Sequence, residues 1–287
     1  MHEPTNARSN GRRVLTVLRR QKVAAAAAVY LSVLVALTLI VPKVTGYQAE
    51  QIDLTSALAM PSSQHLLGTD ESGRDELTRL FVGAYGSLTI GLVAMTLAVT
   101  VGTLVGIVAG FKGGLLDAIL MLLTDAFLSV PIFFVLLTTL VLFGSSLLNL
   151  VIVIGLTSWM TVARVVRSEA LRVRGLEFVE AARGIGAPEA RVLFRHVLPQ
   201  AVPSIAVAAS LGVAYAILVE TALSYLGVGV QPPQPSWGNM LTNAQQYIYA
   251  QPLLAIYPGV LILLTVLALN YVGDVLRTVL DPATAQS

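Results

Sequence analysis

The sequence predicts an all-α polytopic membrane protein with six transmembrane helices and both termini cytoplasmic. A helix–turn–helix loop is expected on the cytoplasmic side, between the fourth and fifth helices. Three observations carry this reading. Of the 287 residues, 55% are hydrophobic and only 12% charged, against about 25% charged in a soluble domain. Six apolar runs approach or exceed the roughly 20 residues that cross a hydrocarbon core. Finally, 15 of the 18 Lys and Arg fall on one side of the six-span layout, the bias that places that side in the cytoplasm. A soluble enzyme, a nucleic-acid binder and a disordered chain fit this composition poorly. The chain has no cysteine, which excludes disulfide scaffolds, thiolate metal sites and cysteine nucleophiles. Its histidines, His2, His65 and His196, are too scattered to suggest a metal cluster.

The N-terminal segment 1–22 is a basic cytoplasmic tail holding Arg8, Arg12, Arg13, Arg19, Arg20 and Lys22. The run that follows, 23–42, exceeds the h-region of a signal peptide, and no clean A-x-A site follows it. It is therefore expected to be retained as the first transmembrane helix. Segment 43–79 is an extracytoplasmic loop of ordinary polarity. At its end Asp70, Glu71, Asp75 and Glu76 alternate with Arg74 and Arg79. The plain reading is a solvated, capped entry to the second helix, with Thr69 or Asp70 as N-cap. A cation site made of the clustered carboxylates is the alternative, and Arg74 competes with it.

The second span, 80–111, carries Gly102, Gly106 and Gly110, small residues four apart on one helical face. Such a stripe is a packing face that lets another backbone approach closely. The spacing does not say whether that backbone belongs to this chain or to another subunit. The third span, 115–143, contains Asp117 and Asp125, with Pro131 six residues beyond Asp125. An ionisable residue at that depth is costly and suggests a function or a specific partner. Three roles are open to Asp125: a proton pathway, a solute path, or bonds to backbone at a proline kink. The fourth span, 147–163, is short. The fifth, 201–219, leads directly into Glu220, where a water-facing position would cost the carboxylate little. Segment 221–273 has no Asp, Glu, Lys or Arg. Its glycines and the prolines of Gln231-Pro-Pro-Gln-Pro-Ser-Trp-Gly-Asn239 forbid a continuous helix there. An outer loop is expected, with Trp237, Tyr247 and Tyr249 at the membrane interface. The sixth span is 251–273.

The inner loop 164–200 carries seven arginines: Arg164, Arg167, Arg172, Arg174, Arg183, Arg191 and Arg195. Helix formers fill its first stretch, Gly184 and Gly186 permit a turn, and Pro188 suits the first position of a new helix. Within that second helix Ala190, Leu193, Phe194 and Val197 form an apolar stripe between arginines. The pattern fits an amphipathic helix on anionic lipid, or equally a projection that docks in a partner's groove.

Three stretches resemble a known family. Glu180-Ala181-Ala182, then Gly186, then Leu198-Pro199 twelve residues later are similar to the EAA motif of ABC-importer permeases. His65-Leu-Leu-Gly-Thr-Asp-Glu-Ser-Gly-Arg-Asp-Glu-Leu-Thr-Arg79 and Glu220-Thr-Ala-Leu-Ser-Tyr-Leu-Gly-Val-Gly-Val-Gln-Pro-Pro-Gln-Pro-Ser-Trp-Gly-Asn-Met-Leu241 resemble the C-type permeases of dipeptide, oligopeptide and nickel importers. The departures are small: Tyr225 where Phe is usual, and Thr78 where Ser is usual.

The resemblance implies a permease core of five helices over 80–280, followed by a short cytoplasmic tail, 281–287. It implies that the chain spans a bacterial plasma (inner) membrane and pairs with a second homologous permease, their interface forming the translocation path. Two ATPase subunits would dock beneath, and an extracytoplasmic solute-binding protein would deliver the solute. Glu180, Ala181, Ala182, Gly186, Pro188, Leu198 and Pro199 would then couple the chain to the ATPases and catalyse nothing. ATP and Mg would be bound by those partners, with no cofactor on this chain and no nucleic acid among its ligands. The lysines agree: a phosphate-cradling loop needs G-x-x-x-x-G-K-[ST], and Lys22, Lys43 and Lys112 all lie outside that context. The solute is a di- or oligopeptide or a nickel chelate by the same resemblance. Two other classes stay open on the residues alone: a self-sufficient secondary transporter or channel using Asp125 and Glu220, and a scaffold whose arginine-rich loop binds lipid.

Overall fold

The computed structural model describes residues 22–280 of the chain. The tail 281–287 and all of the basic N-terminal segment except Lys22 lie outside them. Helix α1 is Lys22–Val44, α2 is Glu76–Lys112, α3 is Gly114–Leu128 and α4 is Ile132–Phe143. Helix α5 follows as Leu147–Arg174, α6 as Glu177–Gly184 and α7 as Glu189–Val192. A π turn, Leu193–Val197, leads into α8, Leu198–Tyr225. Helices α9, Trp237–Gln245, and α10, Leu253–Leu280, complete the fold.

Among the described residues five helices are long and apolar enough to cross a membrane, and a bent pair, α3 with α4, makes up to six. The third span is thus broken: its halves meet at 74°. Pro131 explains the break, because it lacks an N–H and its ring disfavours helical backbone at the residue before it. Helix α5 continues well past the end of its apolar run. It carries Arg164, Arg167, Arg172 and Arg174 to its last turn, so these arginines lie on a helix and not in a free loop.

Helix α2 stands at the centre. Its glycine stripe packs within the chain, against α5. A Cβ on Gly102 would lie 2.6 Å from the Trp159 carbonyl oxygen, and one on Gly110 would lie 2.6 Å from that of Arg167. Gly106 is pressed as tightly against the Ala163 carbonyl. At one end of the bundle, Leu136 and Leu140 of α4 pack with Leu150 and Ile154 of α5 and Leu223 of α8. Helices α1 and α10 meet through the Tyr30 hydroxyl, 3.1 Å from Thr265 Oγ1.

The 45–75 and 226–252 loops share that end of the bundle. Thr45 bonds Thr78 at 2.9 Å, and the Gln251 side-chain amide donates to the Leu58 carbonyl. Within the first loop, hydrogen bonds from Thr55 and then Ser56 hold the exposed Asp53 carboxyl below the usual carboxylate range.

Three expectations at this end are overturned. The entry to α2 is not solvated: Asp70, Arg74, Asp75, Glu76 and Arg79 are all buried. Arg74 Nε donates to Asp70 Oδ2 at 2.7 Å, and Arg79 Nε lies 3.1 Å from the same oxygen. Opposite charges that satisfy one another tolerate burial where single ones do not. The carboxylate of Asp70 is therefore occupied by guanidinium groups rather than held open for a cation. The N-cap is neither Thr69 nor Asp70 but Asp75, whose Oδ2 accepts the Thr78 N–H at 2.8 Å. Trp237 is not at an interface belt either: it is fully buried and donates its indole N–H to the Leu80 carbonyl at 3.2 Å.

Candidate coupling site

The opposite end of the bundle carries α6, α7 and the π turn. Gly175 ends α5, and Leu176 starts the next helix without a side-chain cap. Helix α6 runs from Glu177 through Glu180, Ala181 and Ala182 to Gly184. Its acidic residues lie at its N-terminus and Arg183 near its C-terminus, as the helix dipole favours. Gly186 then adopts φ +81°, a conformation that costs an L residue with a Cβ. A Cβ there would touch nothing within 4 Å, so the need for glycine is conformational and not steric. Pro188 caps α7.

The expected apolar stripe on the second helix does not form. Val192 and Val197 are buried, whereas Phe194 is 66% exposed. The π turn shifts the register, and Pro199, which offers no N–H to the chain behind it, follows directly. Leu198 and Pro199 open α8, so the loop passes into that membrane-spanning helix without a break.

Val179, Ala182, Val192 and Val197 bury themselves against Ile107 and Phe111 of α2 and Ala170 and Val173 of α5. Polar contacts reinforce this floor. The Arg183 guanidinium lies 5.2 Å from the centroid of the Phe111 ring. Lys112 Nζ donates to Glu189 Oε2 at 2.8 Å, and Arg174 donates to the Gly110 carbonyl at 3.2 Å. The α6–α7 unit is thereby fixed to α2 as well as to its chain neighbours. None of these links was anticipated: Glu189 lies 77 residues from Lys112, and nothing local marks the pair.

The face turned away from the bundle is open. A cavity of about 680 Å³ is lined there by Phe178, Ala181, Ile185, Arg191, Arg195 and His196, among others. Ile185 is 87% exposed. Of the residues expected to couple, Glu180, Ala181, Gly186 and Pro188 lie on the exposed side, while Ala182 faces inward.

The two acidic residues of interest lie elsewhere and apart. Asp125 does not bond backbone at the proline break. It pairs with Arg164, and the two side chains are 58% and 52% exposed. Asp117, one helical face over, accepts two bonds from Arg167, the longer at 2.7 Å, and is only 13% exposed. Glu220 is not water-facing: it is 0% exposed. The Ser87 hydroxyl donates to its Oε2 at 2.7 Å, and the Ser224 hydroxyl donates to its Oε1 at 2.6 Å. Ser87 lies 133 residues away, too far for any sequence pattern to reveal.

A bundle of helices long and apolar enough to span a membrane, with a short helical projection rooted in its central helix and open on its outer face, has the build of a membrane transport subunit. The family described as binding-protein-dependent transport system inner membrane component matches residues 102–286, and the chain belongs to it. It is a permease subunit of the peptide and nickel branch of ABC importers. Among its relatives, it is 35% identical to the dipeptide transport system permease protein DppC of Alkalihalophilus pseudofirmus, over 92% of this chain and 87% of that protein. It is 37% identical to the glutathione transport system permease protein GsiD of Pectobacterium atrosepticum, over 92% and 88%. It is 39% identical to the nickel transport system permease protein NikC of Escherichia coli K12, over 82% and 85%. Among solved structures, an inward-facing form of the MetNI methionine ABC transporter shares the fold. The TM-score is 0.58 at 21% identity, over 70% of this chain and 96% of that one.

Proposed function

We propose that this chain forms half of the solute path of an ATP-driven importer in a bacterial inner membrane, with both termini cytoplasmic. The solute is a di- or oligopeptide, as the names of the peptide-permease relatives suggest, or a nickel chelate, as that of the nickel permease suggests. A second homologous permease completes the path, two ATPase subunits seat on the α6–α7 projection, and an extracytoplasmic solute-binding protein delivers the solute. The chain itself binds no nucleotide and catalyses nothing.

One observation carries this reading most directly. The α6–α7 unit and the π turn after it present exposed apolar side chains, Phe178, Ile185 and Phe194, beside Arg191 and Arg195, on a base packed into α2 and α5. Apolar anchors with a basic rim suit a protein partner, and the packed base suits the delivery of force. Glu180, Ala181, Gly186 and Pro188 shape the docking surface. Ala182, Leu198 and Pro199 join it to the bundle. Asp125 and Arg164 form an ion pair exposed on the surface of the chain, which in this reading lines the path.

The test is uptake by the assembled importer in proteoliposomes, with this chain carrying Gly186→Trp. We expect normal insertion, loss of uptake, and weaker retention of the ATPase subunits on an affinity column. Full uptake by that variant would remove the coupling role.

A further inference from the structure

Glu220 sits in the second-to-last turn of α8, fully enclosed. Its two side-chain hydrogen bonds among the described residues both come from hydroxyls, Ser87 of α2 and Ser224 of α8. Ser224 Oγ is also committed as an acceptor, taking the Val230 N–H at 2.9 Å. Its proton is therefore free to point at the carboxyl, and with Ser87 on the other side the shape calls for a group that accepts on both oxygens.

Through the Val230 N–H, Ser224 ties Glu220 to the hairpin 226–245. Asn239 Nδ2 donates to the carbonyls of Val230 and Gln234 at 3.1 and 2.8 Å, which closes the hairpin on itself. Gly238 lies against α8, where a Cβ would be 2.6 Å from Ser224 Cβ. Trp237 anchors the hairpin to α2 at Leu80. Glu220 is thus the point at which α2, α8 and the hairpin share one hydrogen-bonded knot.

The other end of α8 is the coupling loop. The helix runs unbroken from Leu198 to Tyr225, 28 residues, or about 42 Å at 1.5 Å per residue. A rod of that length moves its far end when its near end is displaced.

We propose that Glu220 is a positioning residue that holds the hairpin to α8 and α2, so that displacement of α8 at the coupling loop reaches the face where solute is received. This rests on the coupling-loop reading above. Glu220 need not touch solute or carry an ion; its part is to make the hairpin and α8 move together. A glutamine supplies one acceptor in place of two and turns an N–H toward hydroxyl donors. An alanine removes the knot.

The experiment uses the whole importer in proteoliposomes with its solute-binding protein, and reads uptake together with ATP hydrolysis in the presence and absence of that protein. Ser87→Ala, Glu220→Gln and Glu220→Ala are compared, with Gly186→Trp alongside. We expect the increase in hydrolysis caused by the binding protein, and uptake with it, to fall by about tenfold in Glu220→Ala, within the ordinary range of coupling between sites. The fall should be smaller in Glu220→Gln and Ser87→Ala, and basal hydrolysis should be unchanged in all three. Full stimulation and uptake in Glu220→Ala would overturn the proposal. Equal loss of basal and stimulated hydrolysis even in the mild Ser87→Ala would also overturn it, because that marks a merely structural role. If Gly186→Trp loses stimulation while Glu220→Ala keeps it, the knot fails and the coupling loop stands. If Gly186→Trp itself keeps stimulation, the coupling reading fails.

Discussion

Arg183 of α6 lies with its guanidinium 5.2 Å from the ring centroid of Phe111, the next-to-last residue of α2. The ring is buried among Val173, Val179 and Val192, so this contact joins the projection to the helix at the centre of the bundle. A cation over an aromatic face at a partly exposed site contributes about 0.5–1 kcal/mol. In a double-mutant cycle with Arg183→Gln and Phe111→Leu, thermal unfolding in detergent should return a coupling energy of that order. Strict additivity would show that the two groups do not interact.

The glycine stripe makes a sharper prediction. Gly102→Ala places a methyl 2.6 Å from the Trp159 carbonyl oxygen, and overpacking of this kind costs roughly 1–3 kcal/mol. Gly259→Ala, in α10, meets open space. We expect Gly102→Ala to lower the melting temperature of the purified chain and Gly259→Ala to leave it unchanged. Equal effects would remove the close α2–α5 approach as the cause.

Asp117 and Asp125 should behave differently although both pair with arginines of α5. Asp117 is well covered and accepts two bonds from Arg167; the Asp125–Arg164 pair is more than half exposed on the surface of the chain. Exposed pairs contribute little and are screened by salt. Asp117→Asn should therefore destabilise the chain more than Asp125→Asn. The effect of Asp125→Asn should fade as salt is raised. Denaturation at low and high salt distinguishes the two.

At Gly186 the requirement is a left-handed backbone with open space around it. Asparagine adopts that conformation more readily than a β-branched residue. Gly186→Asn should keep most of the uptake of the assembled importer, and Gly186→Val should lose most of it. The reverse order would mean that side-chain bulk at the partner surface matters more than backbone shape.

Some of this architecture could be read directly from local sequence. Six apolar stretches and the packing face of Gly102, Gly106 and Gly110 are properties of composition and four-residue spacing, and both appear in the fold. The break at Pro131 follows from one residue's covalent geometry. Helix formers, the turn glycines Gly184 and Gly186, and Pro188 pointed to a helix–turn–helix, and α6, the turn and α7 lie there. The stripe through Leu193 and Phe194 failed, because a π turn ahead of Pro199 rotates the side chains off a regular helical face.

Charged and polar side chains were the least legible. Asp70, Arg74 and Arg79 read as a solvated run and are buried together. A water-facing position would have cost Glu220 little, yet it is buried and bonded by Ser87 and Ser224. By itself the sequence determined which segments are apolar enough to enter a membrane, where the backbone must turn, and to which family the chain belongs. The tertiary structure alone decided what each ionisable side chain does. The cost of burying a charge depends on which groups stand within about 3 Å of it, and even where a partner is near in sequence, as Arg74 is to Asp70, only the fold decides whether the pair is enclosed; Ser87 reaches Glu220 from 133 residues away.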